Sequence, residues 1–313
     1  MDSKVKDLVY LFEKLTDKVS LVFETPKDNA FIVATTILAQ KELPLFKNIS
    51  DEDNNSIRSY FKRFKAESYS IPDLRKAFNE AFLFSLRDKE NLEIETSSEL
   101  IILYLRLITL TLKNSLDYEH TVIYNPSSNN GSLVTSIASS EGVNSSDVYV
   151  YEDRYNYASI TMNLRDLCGL NYKISDTLPS MSFRSDIIVS DPFLRSVEDI
   201  LIFFEDCHDY LNQDGFIVVS LMTDFIRSRV FSDMLEKYGY TLIGLIEYPK
   251  DLYNGLIKNS IVILENKSEK NKEFFTSEMP SVKNIDGNLK VLNDIKTYLI
   301  NYLGGNKNEN NVN

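Results

Sequence analysis

Four polar clusters, each following a run of β-favouring residues, carry the groups in this chain best placed to do chemistry. Asn125-Pro126-Ser127-Ser128-Asn129-Asn130-Gly131 follows Thr121 to Tyr124 and precedes the apolar-periodic Leu133, Ile137 and Ala138. That order predicts a strand, a tight loop and a helix. Such a unit puts the free N–H groups of a helix start at the carboxyl edge of a parallel sheet, where nucleotide-like ligands bind. Glu152 and Asp153 end the next run, Val148 to Tyr151. A carboxylate about 20 residues past the loop is suited to accept hydrogen bonds from a ribose. Asp176 follows Tyr172 to Ile174, and Asp191-Pro192-Phe193 follows Asp186 to Val189. The loop has a single glycine where dinucleotide loops have three, so this pattern alone does not name a ligand.

The elements that must hold these groups alternate along the chain. Gly215 opens a run from Phe216 to Leu221, and Leu242 to Glu247 and Asn259 to Leu264 give two more. Between the runs lie helical stripes: Ile160, Leu164 and Leu167 within Tyr155 to Cys168, and Ile200, Phe203, Phe204 and Cys207 within Asp199 to Leu211. Ile226 to Tyr238 is the last clear crossover. Seven strands with helices between them predict an α/β, doubly wound, mostly parallel sheet. Ahead of it, residues 1–94 read as a helical domain. Val5, Leu8, Leu11, Phe12 and Leu15 recur at helical spacing, and Pro72 suits a helix start. Thr96-Ser97-Ser98-Glu99 has the form of a capping box opening the apolar helix Leu100 to Leu112. Residues 95–267 make the sheet domain. Residues 268–313 hold a charged stretch, a helix at Val291 to Leu303 and, after Gly304-Gly305, a polar tail expected to be disordered.

Composition narrows the function classes. The 313 residues, 43% hydrophobic, suffice for one large domain and a smaller one. Cys168 and Cys207 sit in helical patterns without metal spacing, which suits a reducing, cytoplasmic compartment. His120 and His208 are far apart in sequence, so no metal site is expected. MDSKVKD is too charged for a signal peptide. The longest apolar run contains Arg106 and is short of the ~20 residues a membrane span needs. A net charge of −12 is the wrong sign for a tight, autonomous duplex binder.

From Glu95 to Lys267 the order of these pieces resembles the class I S-adenosylmethionine (SAM) dependent methyltransferases. Most similar are the N6-adenine DNA methyltransferases of the type I restriction-modification kind and their stand-alone bacterial relatives. The stretch GLIEYPKDLYNGLIKNSIVILENK is among the most specific parts of the likeness. The resemblance implies that the last strand is antiparallel and inserted between its neighbours. It implies SAM as cofactor and methyl transfer to an exocyclic amine of adenine in DNA. Thr96 would lie at the methionine end of SAM, with a plain cap as the alternative, and Asn125, Ser127 and Gly131 would form the loop beside that moiety. Glu152, or Asp153 if the alignment slips by one, would take the ribose hydroxyls, and Asp176 would meet the adenine amino group. Asp191, Pro192 and Phe193 would be catalytic: the polar groups accept hydrogen bonds from the target amine and the ring stacks on a flipped base. The N-terminal domain would pack internally or contact DNA or a partner subunit.

Two departures stand out. Relatives read Asp-Pro-x-x-Gly-x-Gly where this chain keeps only Gly131, and they carry a second proline where it has Asp191-Pro192-Phe193-Leu194. Leu194 to Glu198 also leaves little chain to cover a flipped base. A catalytically inactive relative acting as a binding partner, and an enzyme for a small molecule or protein, are therefore the alternatives.

Overall fold

The computed structural model describes residues 3–40, 46–86, 97–116, 120–194, 196–252, 258–267 and 273–309. Labels follow the chain. Helices α1 (Ser3–Phe23), α2 (Lys27–Ala39), α3 (Asp51–Arg63), α4 (Ile71–Ser85) and α5 (Glu99–Leu116) come first. Strand β1 (Ile123–Asn125) leads to α6 (Ser132–Ala138), and β2 (Val148–Tyr151) to α7 (Tyr155–Leu167). Then follow β3 (Lys173–Ser175), β4 (Ser185–Ser190), α8 (Val197–Tyr210), β5 (Leu211–Met222), α9 (Thr223–Ile226) and α10 (Arg229–Tyr238). β6 (Thr241–Glu247), β7 (Asn259–Glu265), β8 (Phe275–Glu278) and α11 (Ile285–Glu309) complete the order.

The chain divides into two compact units. The first comprises Met1–Ser97, Ser128–Ser146 and Tyr151–Thr177. In α1 the residues Val5, Leu8, Leu11, Phe12, Leu15 and Val19 face inward at helical spacing. Ser50 and Ser70 cap α3 and α4 by accepting from the N–H groups of Asp53 and Asp73, and Pro72 sits in the first turn of α4. Phe78 anchors this core. Its ring lies edge-on to Phe31 at 5.0 Å and to Phe12 at 6.0 Å. Asn163 of α7 ties that helix to α2, donating to Ile32 O (3.1 Å), Thr35 Oγ1 (2.9 Å) and Thr36 Oγ1 (3.0 Å). The first stretch of this unit ends at Ser97, and two later stretches also pack in it.

The second unit comprises Ser98–Ser127, Asp147–Val150 and Leu178–Asn313. Its strands lie in the order β2-β1-β4-β5-β7-β6-β8. β1, β2, β4 and β5 run parallel, whereas β7 is antiparallel to both β5 and β6 and lies between them, as the resemblance implied. All six residues of β4 are buried, as a parallel strand covered on both faces requires. Asp186 staples the start of the sheet: its carboxylate accepts from the Val122 N–H at 2.8 Å and from Asn212 Nδ2 at 2.8 Å.

Several boundaries differ from the sequence reading for local reasons. Helix α5 begins at Glu99 because the Ser98 hydroxyl accepts from the Ile101 N–H at 3.2 Å; Thr96 lies outside the described residues. The continuous helix expected over Ile226 to Tyr238 is two helices, with Ser228 capping the second. β8 had no apolar signal, since none of its four residues is buried; it pairs in parallel with β6. Helix α11 starts at Ile285 and continues past Gly304-Gly305 to Glu309, where a disordered tail was expected. No described helix is long and apolar enough to cross a membrane. Phe78→Ala should lower the unfolding free energy by about 3–5 kcal/mol, the range for emptying a fully buried aromatic site, as read by urea denaturation.

Candidate functional site

Glu152 organises the first unit's share of the predicted site. It ends β2, is 2% exposed, and its carboxylate is saturated. Oε2 accepts from the backbone N–H groups of Ser128 and Asn129 and from the Ser128 hydroxyl, each at 3.1 Å. Arg154 completes the shell, with Nη2 at 3.0 Å from Oε2 and Nε at 2.7 Å from Oε1. The Arg154 N–H also reaches Oε1, at 3.3 Å. A carboxylate offers about four lone-pair positions, and here it receives more donors than that. The guanidinium is steadied in turn: Nη2 lies 3.2 Å from Asn129 Oδ1, and the Tyr157 ring centroid is 4.0 Å from Cζ.

Asn129 stands where the pattern has its first glycine, and it and its neighbours Ser128 and Asn130 are each accounted for. Ser128 shares a 2.9 Å hydrogen bond with Thr161 Oγ1, and Thr161 also donates to Asn129 O at 3.3 Å. Asn129 adopts φ +50°, a left-handed conformation that asparagine tolerates better than most residues. Asn130 donates to Asn79 Oδ1 at 2.6 Å and accepts from the Ser132 N–H at 3.2 Å, occupying the first amide of α6. At Gly131, with φ +78°, a side chain would be strained and crowded: a Cβ would sit 3.0 Å from Thr161 Cγ2 and 3.1 Å from Thr161 Cα. Asp153 and Asp176, in the same unit, are exposed.

The second unit carries Asn125, Ser127 and the Asp191 cluster. Asn125 ends β1, 1% exposed; its Nδ2 donates to Val189 O at 2.7 Å, while its Oδ1 has no partner among the described residues. Ser190, the last residue of β4, is fully buried, and its hydroxyl too has no partner among the described residues. Asp191 follows at 4% exposure, and Tyr248 Oη donates to its Oδ1 at 3.2 Å. Pro192 is buried; Phe193 and Ser127 are half-buried. The structure therefore brings Asn125, Ser190 and Asp191 to the carboxyl ends of adjacent strands, and independently gathers Ser128, Asn129, Glu152 and Arg154. Sequence reasoning did not pick out Arg154, Thr161, Asn79, Ser190 or Tyr248. Only the proximity of Arg154 to Glu152 offered a signal. The cysteines are not nucleophile candidates: burial pushes the Cys168 thiol up to about 12 and raises that of Cys207 as well. Among the described residues no cluster could hold a metal ion.

No family profile and no curated protein matches the sequence. Solved structures do. A protein of Listeria monocytogenes assigned to the class I SAM-dependent methyltransferases superposes with a TM-score of 0.79 at 16% identity, covering 96% of this chain and 100% of the other. This is a class I methyltransferase fold. The methyltransferase subunit of a type I restriction-modification system from Streptococcus thermophilus gives a TM-score of 0.61 at 14% identity, over 79% of this chain and 62% of the subunit. The type IIG restriction endonuclease BpuSI gives 0.57 at 14% identity, with 95% of this chain matching 40% of that enzyme.

Two substitutions separate loop architecture from surface charge. Glu152→Ala strands buried N–H groups and should cost about 2–3 kcal/mol, and Gly131→Ala should cost about 1–2 kcal/mol for its positive φ alone. Asp153→Ala, on the exposed neighbour, should stay within roughly 0.5 kcal/mol of wild type. Chemical denaturation of the three variants checks the order.

Proposed function

We propose that this chain is a SAM-dependent methyltransferase whose acceptor is an exocyclic amine, with N6 of adenine in DNA as the substrate. The observation that carries this reading is the buried carboxylate of Asp191, held at the carboxyl end of β4 by the Tyr248 hydroxyl and followed by Pro192 and the half-buried Phe193. Burying a carboxylate is expensive, and its position is the one the resemblance assigns to the acceptor amine. The likeness to a solved methyltransferase subunit of a type I restriction-modification system supports the same choice.

The residues of the second unit fit such a donor. A buried acceptor without a partner calls for an explanation, and Asn125 Oδ1 is one, suited to receive an ammonium group such as that of a methionine moiety. SAM supplies an electrophilic methyl group on a sulfonium centre. Asp191 would accept a hydrogen bond from the amine, align its lone pair and stabilise the positive charge that develops on nitrogen as the bond forms. Phe193 would stack on the base and Pro192 would stiffen the backbone between them. Positioning of this kind accounts for most of the acceleration expected of such a site. For the nucleoside end, Asp176 is assigned to the adenine amino group. Asp153 is favoured over Glu152 for the ribose, because the Glu152 oxygens already hold the loop.

Two observations favour a second reading. The saturation of Glu152 and the missing second proline are also what a methyltransferase-fold partner protein without catalysis would show. Transfer of label from methyl-tritiated SAM to unmethylated single- and double-stranded DNA decides between them. Wild type should label adenine, and Asp191→Ala should label it at least roughly 100-fold more slowly. No transfer by wild type overturns the DNA methyltransferase reading, and an unimpaired Asp191→Ala overturns the assigned role.

A further inference from the structure

Tyr248 stands just after β6, and β7 lies between β6 and β5. Its side chain nevertheless meets groups of β5 and of the β4 end. The Tyr248 hydroxyl is 2.5 Å from Ser220 Oγ of β5 and 3.2 Å from Asp191 Oδ1. All three side chains are buried: Ser220 is 1%, Asp191 4% and Tyr248 7% exposed. The Tyr248 N–H donates to Asn259 O at 2.9 Å, so the base of the side chain is pinned to the start of β7.

A hydroxyl carries one proton and can accept others. With Asp191 ionised, its Oδ1 accepts the Tyr248 proton and leaves the Tyr248 oxygen to accept from Ser220. The order of donation is then fixed: Ser220 to Tyr248 to Asp191. Each link polarises the next, and a chain of this kind in a water-poor interior is stronger than its separate bonds. The carboxylate gains a defined plane and a partner that favours its charged form.

We propose that Tyr248, backed by Ser220, is a positioning residue that fixes the orientation and charge of Asp191 for methyl transfer. It does not touch the reacting atoms. The proposal rests on the methyltransferase reading given above, and its test has an arm that does not depend on turnover.

Tyr248→Phe removes the hydroxyl and keeps the ring, and Ser220→Ala removes only the second link. In the full-length protein, the Asp191 carboxyl carbon is followed by NMR through a pH titration, with Asp191→Asn identifying the resonance. Tyr248→Phe should move the Asp191 titration to higher pH and Ser220→Ala should move it less, because each loss weakens stabilisation of the anion. In the same proteins, calorimetry should show SAM affinity unchanged within roughly twofold, since neither group is assigned to SAM. In the labelling assay, Tyr248→Phe should lower kcat about tenfold or more with little change in KM, and its acid limb should move to higher pH. An unshifted Asp191 titration in Tyr248→Phe overturns the proposal whether or not the wild type methylates DNA. A shifted titration with an unchanged kcat and acid limb in an active wild type also overturns it, because the network would then be structural only. Absence of turnover by wild type with a shifted titration upholds the hold on Asp191 and removes the DNA reading instead.

Discussion

The loop between β1 and α6 is held in place by one carboxylate. Glu152 receives the backbone N–H groups of Ser128 and Asn129, the Ser128 hydroxyl and the guanidinium of Arg154. In a loop built on glycines, backbone amides are left to meet a ligand. Here a side chain of the protein fills that role. The arrangement keeps the loop shape with serine and asparagine in place of small residues, at the cost of tying up the acid that the resemblance assigned to the ribose.

The two carboxylates at the ends of β2 and β4 are treated differently by their surroundings. Glu152 is met by a cation and by amides, which satisfies it as a structural anchor. Among the groups around Asp191 are the Tyr248 phenol and, behind it, Ser220, and a phenol hydrogen bond orients the carboxylate. The antiparallel insertion of β7 matters here. It places β6 next to β7, from where Tyr248 reaches across to Ser220 and Asp191.

Much of this architecture was legible in the sequence. Apolar runs ending in Asn125, Glu152 and Asp191 correctly located three strand ends, because buried parallel strands demand continuous apolar residues and their loops demand polar ones. The inserted antiparallel strand followed from the resemblance. β8 was invisible because an edge strand without a buried residue has no pattern. The start of α5 was misjudged because several hydroxyls in a row could each cap a helix, and only packing selects Ser98. At the site, the residue types were visible but their partners were not. Asn79 and Asn130 are 51 positions apart and Tyr248 and Asp191 are 57 apart. Contacts across such separations are set by the fold and leave no local trace. The loss of a glycine at Asn129 looked like decay in the sequence, whereas the structure gives Ser128, Asn129 and Asn130 each a defined hydrogen-bonding role.

The account stands or falls on whether a loop already closed by Glu152 still admits the cofactor. Calorimetric titration of the purified chain with S-adenosylhomocysteine tests this most directly, because that demethylated product needs no acceptor. A single saturable site with a dissociation constant of about 1–100 μM, or roughly −8 to −5 kcal/mol, is the result the account predicts. No heat, and no rise in melting temperature at about millimolar ligand, where mass action would reveal even weak binding, would contradict it.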